Sequence, residues 1–185
     1  MRRAVLIAAF ALTGCSLGVG EGEVSGVVMA PMCGLEGAYD LKPNFFVSDP
    51  FEEHLRVRIQ RGGDFEIRSD GILITISDVN AFADNIGRPF RFTGARSDLV
   101  SMNFFAHDSC PIDRDDIPVD FGAVEGTITF DALYSPELDE DQLLTSATFA
   151  DVRLVDRDNA DTRFAVLSGR FEFIFNRGRP AQPFP

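Results

Sequence analysis

The chain has 185 residues, a formal net charge of −12 at pH 7 and 45% hydrophobic residues. An acidic chain of this kind repels nucleic acid and anionic lipid head groups, so the composition excludes most nucleic-acid-binding classes. Its length is that of one ordinary domain, which is large enough to bury a hydrophobic core.

The first fifteen residues have the layout of a bacterial secretion signal. Arg2 and Arg3 form a short positive segment, residues 4–11 form an uncharged apolar run, and small residues precede Cys15. The apolar run is too short to span a bilayer, which takes about 20 residues. Leu12-Thr13-Gly14-Cys15 resembles the lipobox of bacterial lipoproteins at all four positions.

The lipobox resemblance implies processing and a place in the cell. In that family a diacylglycerol is joined to the cysteine thiol, the chain is cut just before the cysteine, and the new N-terminus is acylated. We therefore expect a signal peptide at 1–14, a lipid such as palmitate on Cys15, and a membrane of the cell envelope as the location. Ser16 stands where Asp resembles an inner-membrane retention signal, so the resemblance favours the outer membrane. Cleavage removes Arg2 and Arg3 and takes the net charge from −12 to −14.

The remaining chain divides into three segments. Residues 15–22 are rich in Gly and predict a flexible lipidated tether, which reaches roughly 20 Å at about 3.3 Å per residue. Residues 23–176 predict the folded domain. Residues 177–185 contain several prolines and predict an extended tail, because proline cannot donate to a strand ladder.

Two cysteines remain once Cys15 carries lipid. Cys33 and Cys110 both lie in turn-like surroundings with proline nearby. In an exported chain such a pair indicates a disulfide, and the alternative is two free thiols.

Hydrophobic alternation indicates strands from the middle of the chain onward. Alternation of apolar and polar residues predicts a strand with one buried face at 55–60, and the sequence Ile72, Ile74, Ile76 predicts another. Ser69-Asp70-Gly71 is typical of a turn. A short helix is expected at 78–85, ended by Gly87 and Pro89.

The C-terminal third predicts an antiparallel meander of three long strands at 124–134, 145–155 and 163–176. The inward side chains expected on the first and third of these strands are Ile128, Phe130, Tyr134, Leu167, Phe171, Phe173 and Phe175. Gly26, Gly126 and Gly169 share an apolar-x-Gly-x-apolar frame, which indicates bends in a curved sheet. We predict an all-β fold, either an antiparallel sandwich or a small barrel.

One short segment contains every residue type of a hydrolase triad. His107, Asp108, Ser109 and Cys110 are consecutive, however, and neighbouring residues of an extended chain point apart. We interpret the segment as a polar loop beside the disulfide. Metal binding at His107, Asp108, Cys110, Asp113, Asp115 and Asp116 is a weaker alternative, since the spacing matches no zinc pattern.

Two acidic loops are candidates for calcium binding. Asp156, Asp158 and Asp161 resemble the opening of an EF-hand loop, but Ala160 and Asp161 stand where a ligand and the glycine belong. Glu137, Asp139, Glu140 and Asp141 form a second acidic loop. A solvated hairpin loop is the interpretation we favour for both.

A basic set and one histidine complete the candidates. Arg56, Arg58, Arg61 and Arg68 could meet an anionic partner, although pairing with neighbouring acidic side chains is the simpler interpretation. His54 adjoins the polar side of the 55–60 strand and is expected to be exposed.

No motif for a nucleotide, another cofactor or a common hydrolase occurs, so no cofactor and no catalytic residue is assigned. The body resembles the uncharacterised β-rich lipoproteins of bacterial envelopes. The leading hypothesis is a non-enzymatic binding or structural module, whose partners are the membrane through its lipid and an envelope protein. The alternatives are a carrier of an apolar ligand in a Phe-lined barrel and, third, a hydrolase.

Overall fold

The computed structural model describes residues 20–51, 53–62, 69–94, 99–110, 120–139, 141 and 143–175. The strands are β1 (Gly20–Ala30), β2 (Leu35–Asp40), β3 (Phe45–Phe51), β4 (His54–Arg61), β5 (Asp70–Ile76), β6 (Phe90–Arg91), β7 (Val100–Ala106), β8 (Asp120–Ala132), β9 (Leu144–Val155) and β10 (Phe164–Ile174). The helical parts are α1 (Val79–Phe82) and short 3₁₀ helices at Pro31–Cys33 and Ala83–Asn85. The all-β prediction is confirmed.

All ten strands belong to one antiparallel sheet. Its order is β2-β1-β10-β9-β8-β7-β5-β4-β3, and β6 pairs with β8 outside this path. The predicted C-terminal meander is confirmed, since β8, β9 and β10 are neighbours in sequence and in the sheet. The sheet curls into a half-barrel, so the apolar face is enclosed by one sheet and not by the two layers of a sandwich.

Alternation along each strand places the core inside the curl. The side chains of Leu55, Val57 and Ile59 are fully buried, and so are those of Ile72, Ile74 and Ile76. Burying this many branched and aromatic side chains stabilises the fold at about 25 cal/mol per Å² of apolar surface. The expected short helix lies at the end of β5, where Asp78 caps it by accepting a hydrogen bond from the backbone N–H of Ala81 at 2.8 Å.

Two of the aromatics predicted to face inward lie beyond the strand ends. β8 ends at Ala132 and β10 ends at Ile174, so Tyr134 and Phe175 lie just beyond the strands. Their rings stack on each other, with centroids 4.1 Å apart. Tyr134 is nevertheless buried, as predicted, at 4% exposure, whereas Phe175 is only half-buried.

The predicted tether is shorter than its composition indicates, because β1 already begins at Gly20. Gly20 and Gly22 pair with Phe173 and Phe171 of β10. The ring of Phe46 lies over both glycines, and a Cβ atom added at Gly20 would come within 2.9 Å of it. These two glycines therefore permit close packing within the sheet instead of chain flexibility.

The bends indicated by the repeated glycine frame are present. Between Phe149 and Val152, β9 carries one residue more than β10 opposite it, and the same stretch of β9 is bulged against β8. Asp151 of this bulge has a φ of 49°. Gly126 faces it from β8, and a Cβ atom there would lie 2.6 Å from the Cα of Val152. A bulge bends the strand and increases its twist, so this position helps the sheet to curl.

We expect Gly126→Ala to lower the free energy of unfolding by about 2–4 kcal/mol, because a side chain at its φ of 109° is strained and collides with the β9 backbone. Chemical denaturation measures the change. Gly122→Ala on the same strand is the control, since the nearest atom to its added Cβ is 3.6 Å away, and its cost should stay within about 1 kcal/mol. Equal costs for the two variants would contradict the role given to the bulge.

Candidate functional site

The most connected polar group in the described structure is the carboxylate of Asp70, which is fully buried. Asp70 is the first residue of β5 and lies opposite Arg61, the last residue of β4. Tyr39 reaches it from β2, and Ser109 reaches it from the turn that follows β7. Four separate parts of the chain therefore converge on one side chain at one end of the curl.

Five donors are directed at the two carboxylate oxygens of Asp70. Oδ2 accepts from the Tyr39 hydroxyl at 3.0 Å and from Arg61 Nη2 at 2.7 Å. It also accepts a short hydrogen bond from the Ser109 hydroxyl. Oδ1 accepts from the backbone N–H groups of Asp108 and Ser109 at 3.0 and 2.9 Å. A buried charge is costly unless it is paired and hydrogen-bonded, and this arrangement satisfies both conditions.

The disulfide lies beside this cluster. Cys33 and Cys110 are brought to disulfide distance, with their Cα atoms 4.7 Å apart, as the sequence predicted. The bridge joins the 3₁₀ helix after β1 to the turn after β7, across a sequence separation of 77 residues. Closing a loop of this length stabilises a fold by about 4–5 kcal/mol on the chain-entropy model. Asp70 and the disulfide thus hold the same turn from two sides.

The residues of the triad-like segment do not meet. The Ser109 hydroxyl donates to Asp70, whereas His107 Nε2 lies 3.3 Å from Asp120 Oδ1. The His107 ring also packs against Phe105, with centroids 5.2 Å apart. The serine and the histidine therefore have different carboxylate partners, an arrangement that suits a polar turn beside a disulfide. Asp113, Asp115 and Asp116 lie outside the described residues.

The environment of Tyr39 fixes its protonation state. Burial, followed by the charge of the nearby Asp70 carboxylate, raises the pKa of the Tyr39 phenol far above its ordinary value. The neutral phenol also donates its proton to Asp70, which favours that form further. Tyr39 therefore acts as a permanent hydrogen-bond donor that holds the β2 edge against the start of β5.

Sequence reasoning missed Asp70 and Tyr39, and it placed Arg61 in a surface set. Ser69-Asp70-Gly71 was predicted to be a turn, but Asp70 and Gly71 are the first residues of β5. A signal was present, because Asp70 shares the alternation of Ile72, Ile74 and Ile76 and so belongs to their inward face. An acidic residue in phase with a buried stripe indicates a buried carboxylate with partners elsewhere in the chain.

We expect Asp70→Asn to lower the free energy of unfolding by about 2–4 kcal/mol, because it removes the charge that pairs with Arg61 and places an amide N–H₂ among donors. The urea midpoint measures this change. Asp120→Asn is the matched control, since this carboxylate is 59% exposed and its histidine pair should contribute no more than about 1 kcal/mol. A small effect at Asp70 would show that the cluster is not needed for stability.

The raised pKa of Tyr39 predicts a specific loss of stability in alkali. The pKa of Tyr39 is higher in the folded protein than in the unfolded chain, where it is about 10, so the neutral phenol stabilises the fold. This contribution is complete below about pH 10 and is lost as the pH rises from there toward the folded-state pKa. Tyr39→Phe cannot ionise, so its urea midpoint should fall less than that of the wild type between about pH 9 and 12. Parallel curves for the two proteins would contradict the assignment.

The calcium candidates are organised as a hairpin loop. The two carboxylate oxygens of Asp156 are already engaged, Oδ1 by the backbone N–H of Asp158 at 2.9 Å and Oδ2 by Arg163 Nη1 at 2.9 Å. Burial raises the pKa of Asp156, but these hydrogen bonds outweigh it and hold the value below its ordinary range. Asp158 and Asp161 are exposed. The loop is therefore built around an internal ion pair.

The second acidic loop is also held by its own hydrogen bonds. The Asp139 carboxylate accepts from the backbone N–H of Asp141 at 3.0 Å, and Glu137 is exposed beside it. Glu140 lies outside the described residues. Within the described ranges, no group of three or more His, Cys, Asp or Glu side chains is placed to hold a metal ion.

The arginines of the predicted basic set lie in different environments and do not form one basic surface among the described residues. Arg61 binds Asp70, and the Arg58 guanidinium lies 4.6 Å from the centre of the Phe105 ring. Burial lowers the pKa of Arg58. Arg56 is exposed, and Arg68 lies outside the described residues. His54 is exposed as expected, and its Nδ1 makes a short contact with the carbonyl of Ser77.

The outer face of the sheet carries a shallow acidic trough where β8, β9, β10 and β1 lie side by side, with a volume of about 520 Å³. Glu21 and Glu172 lie directly opposite each other there, a cross-strand pair that is unfavourable for like charges. Arg170 offsets it, since its Nε donates to Glu23 at 2.8 Å. Asp131 also lines the trough, which therefore carries more negative than positive charge.

Comparison with known proteins finds no match: no family model, no curated protein and no solved structure matches this chain. Among the described residues, every helix is too short or too polar to traverse a lipid bilayer. Cys15 and the rest of the lipobox lie outside the described residues.

Proposed function

We propose that the chain is a lipid-anchored lipoprotein of the bacterial envelope, on the outer membrane, whose β domain serves as a non-enzymatic binding or structural module. The lipobox ending at Cys15 carries this proposal, because lipid on that thiol accounts for both export and membrane attachment. Two or more acyl chains anchor a protein stably, at about 0.8 kcal/mol per buried CH₂.

The position of β1 supports a domain held close to the bilayer. Gly20, the first strand residue, follows Cys15 by only five residues, which span at most about 17 Å when extended. A rigid body on so short a tether presents itself at the membrane surface and does not explore the surrounding space.

The polar side chains around Asp70 bind one another, which supports a structural role for them. Ser109, Arg61 and Tyr39 all bind the buried Asp70, and the disulfide fixes the same turn. Groups engaged in this way stabilise the fold and are not available to activate a substrate.

The carrier hypothesis has less support. Phe130, Phe171 and Phe173 are almost completely buried. Their rings pack on one another, with centroids 6.4 Å apart for Phe130 and Phe171 and 6.2 Å for Phe171 and Phe173. Aromatic contacts at these distances are typical of a packed core.

Mass spectrometry of the full chain, extracted from its own membrane in mild detergent, tests the proposal. We expect a chain that begins at Cys15, carries two or three acyl groups and is about 2 Da lighter for the disulfide. The Cys15→Ala variant should lack the acyl mass and leave the membrane fraction. A wild-type chain without acyl groups would overturn the lipoprotein assignment, and substrate turnover abolished by Ser109→Ala would overturn the non-enzymatic one.

A further inference from the structure

We infer that two copies of this chain pack face to face through an apolar patch on the outer surface of the sheet. The patch consists of five side chains from β1, β2 and β10, which are Val27, Met29, Ala38, Phe164 and Val166. Val27 is 42% exposed, Ala38 is also exposed, and the other three are half-buried. The inference concerns the outer surface of the domain and does not depend on the proposed lipid anchor.

The strand register places the five side chains on one face. Val27 lies directly opposite Ala38 of β2 and Val166 of β10. Met29 lies directly opposite Phe164 of β10. Residues that are directly opposite in adjacent strands point to the same side of a sheet. The buried residues of β1 alternate with these two, so Val27 and Met29 face outward and the patch is continuous across three strands.

Side chains of opposite charge border the patch on its two sides. On the β2 side, Glu36 and Asp40 are exposed. On the β9 side, Arg153 lies directly opposite Val166, and its guanidinium is 5.0 Å from the centre of the Phe164 ring. The patch is therefore acidic along one border and basic along the other.

A two-fold axis that runs parallel to the strands, between β1 and β10, makes this surface complementary to itself. The axis places β1 of one copy over β10 of the other, at the spacing of about 10 Å that is usual for stacked sheets. Val27 then faces Val166 of the second copy. In the same way Met29 faces Phe164 of the second copy. The apolar side chains of both copies are therefore covered.

The same axis brings the two charged borders together. β2 of one copy lies over β9 of the other, because the strand order around the axis is β2-β1-β10-β9. Arg153 shares a cross-strand row with Ala38, so Arg153 of the second copy reaches between Glu36 and Asp40. The outer face of a curled sheet is convex, and the long side chains at the borders span the gap that widens away from the axis. This charge complementarity is the reason to choose a second copy as the occupant.

The size of the patch makes the dimer weak. Five side chains cover less than the roughly 800 Å² per partner of a standard interface, and a convex face limits the contact further. The net charge of −12 opposes association, although physiological salt screens charges separated by more than about 8 Å. Because the apolar contact is small, the ion pairs at its borders decide whether the copies associate.

Cross-linking of the full chain in intact cells tests the contact. Val27→Cys lies beside the axis, so a short bismaleimide should join two copies through it. Leu143→Cys is the matched control, because Leu143 is 40% exposed but lies outside the patch, just before the start of β9. After the yield of the wild-type chain is subtracted, we expect the dimer yield of Val27→Cys to exceed that of Leu143→Cys about fivefold.

Charge reversal tests the arrangement of the two copies. Arg153→Glu and Glu36→Arg should each lower the yield of Val27→Cys about fivefold, because each places like charges at facing borders. The double reversal restores opposite charges, so its yield should return to within about twofold of that of Val27→Cys alone. Arg153→Glu also stands opposite Glu125 of β8, and circular dichroism checks that it folds. The double reversal contains the same substitution, so recovery there cannot come from folding.

Equal yields for Val27→Cys and Leu143→Cys would overturn the dimer, since random collision treats the two positions alike. Cross-linking of Val27→Cys to a different protein would overturn it as well. Single reversals without effect, or a double reversal that stays as low as the single ones, would rule out the two-fold arrangement. The acyl mass at Cys15 is a separate measurement, so the failure of the dimer and the failure of the proposed anchor are distinguished.

Discussion

A single sheet that has no second layer has to cover its own apolar face, and most features of this fold follow from that constraint. The sheet of β1 to β10 curls until the aromatic side chains of one half contact those of the other, as Phe46 of β3 does with Phe173 of β10. Sharp curvature needs places where strands bend and approach closely. The bulge at Asp151 and the glycine opposite it at Gly126 supply one, and Gly20 and Gly22 beneath the Phe46 ring supply another.

The curl leaves two ends to be closed, and they are closed by different chemistry. At one end Asp70 brings Tyr39, Arg61 and Ser109 together, and the disulfide fastens the adjoining turn. A fully satisfied buried carboxylate adds little net stability compared with an apolar filling, but its directional bonds allow only one arrangement of the four segments. At the other end the closure is apolar, with Phe82 of α1 packed edge-on against Phe130.

The fold could be predicted from the sequence where burial has a simple period. Ile72, Ile74 and Ile76 alternate strictly, and β5 lies where they indicated. The prediction failed where a strand end or a long-range contact decides the outcome. Phe175 lies just past the end of β10 and is half-buried, and Gly20 is a strand residue that pairs with Phe173 beneath the ring of Phe46, which is distant in sequence.

The candidate site was less predictable than the fold, for a related physical reason. The cysteine pair could be identified because the predicted lipidation of Cys15 leaves two cysteines and therefore a single intramolecular pairing. The partners of Asp70 lie up to 39 positions from it in the chain, and their spacing follows no recognisable motif. The one sequence signal for the cluster is that Asp70 alternates in step with the buried isoleucines of β5. That pattern predicts that the carboxylate is buried, but it does not identify the residues that bind it.

Among the described residues, β2 and β3 are the terminal strands of the sheet, and a strand edge without a partner strand invites association between copies of a chain. The proposed lipid anchor would concentrate the protein in two dimensions and so would increase this hazard relative to a freely diffusing chain. The segment 41–44, which joins β2 to β3, is hydrogen-bonded to the neighbouring strands: the N–H of Leu41 donates to the Val24 carbonyl, and the N–H of Asn44 donates to the Gln60 carbonyl.

Each edge strand also has features that oppose pairing with another strand. β2 has six residues with Glu36 and Asp40 exposed, and β3 contains exposed Asp49 followed by Pro50. Because the exposed carboxylates on both edges have the same sign, the edge of one copy repels the edge of another.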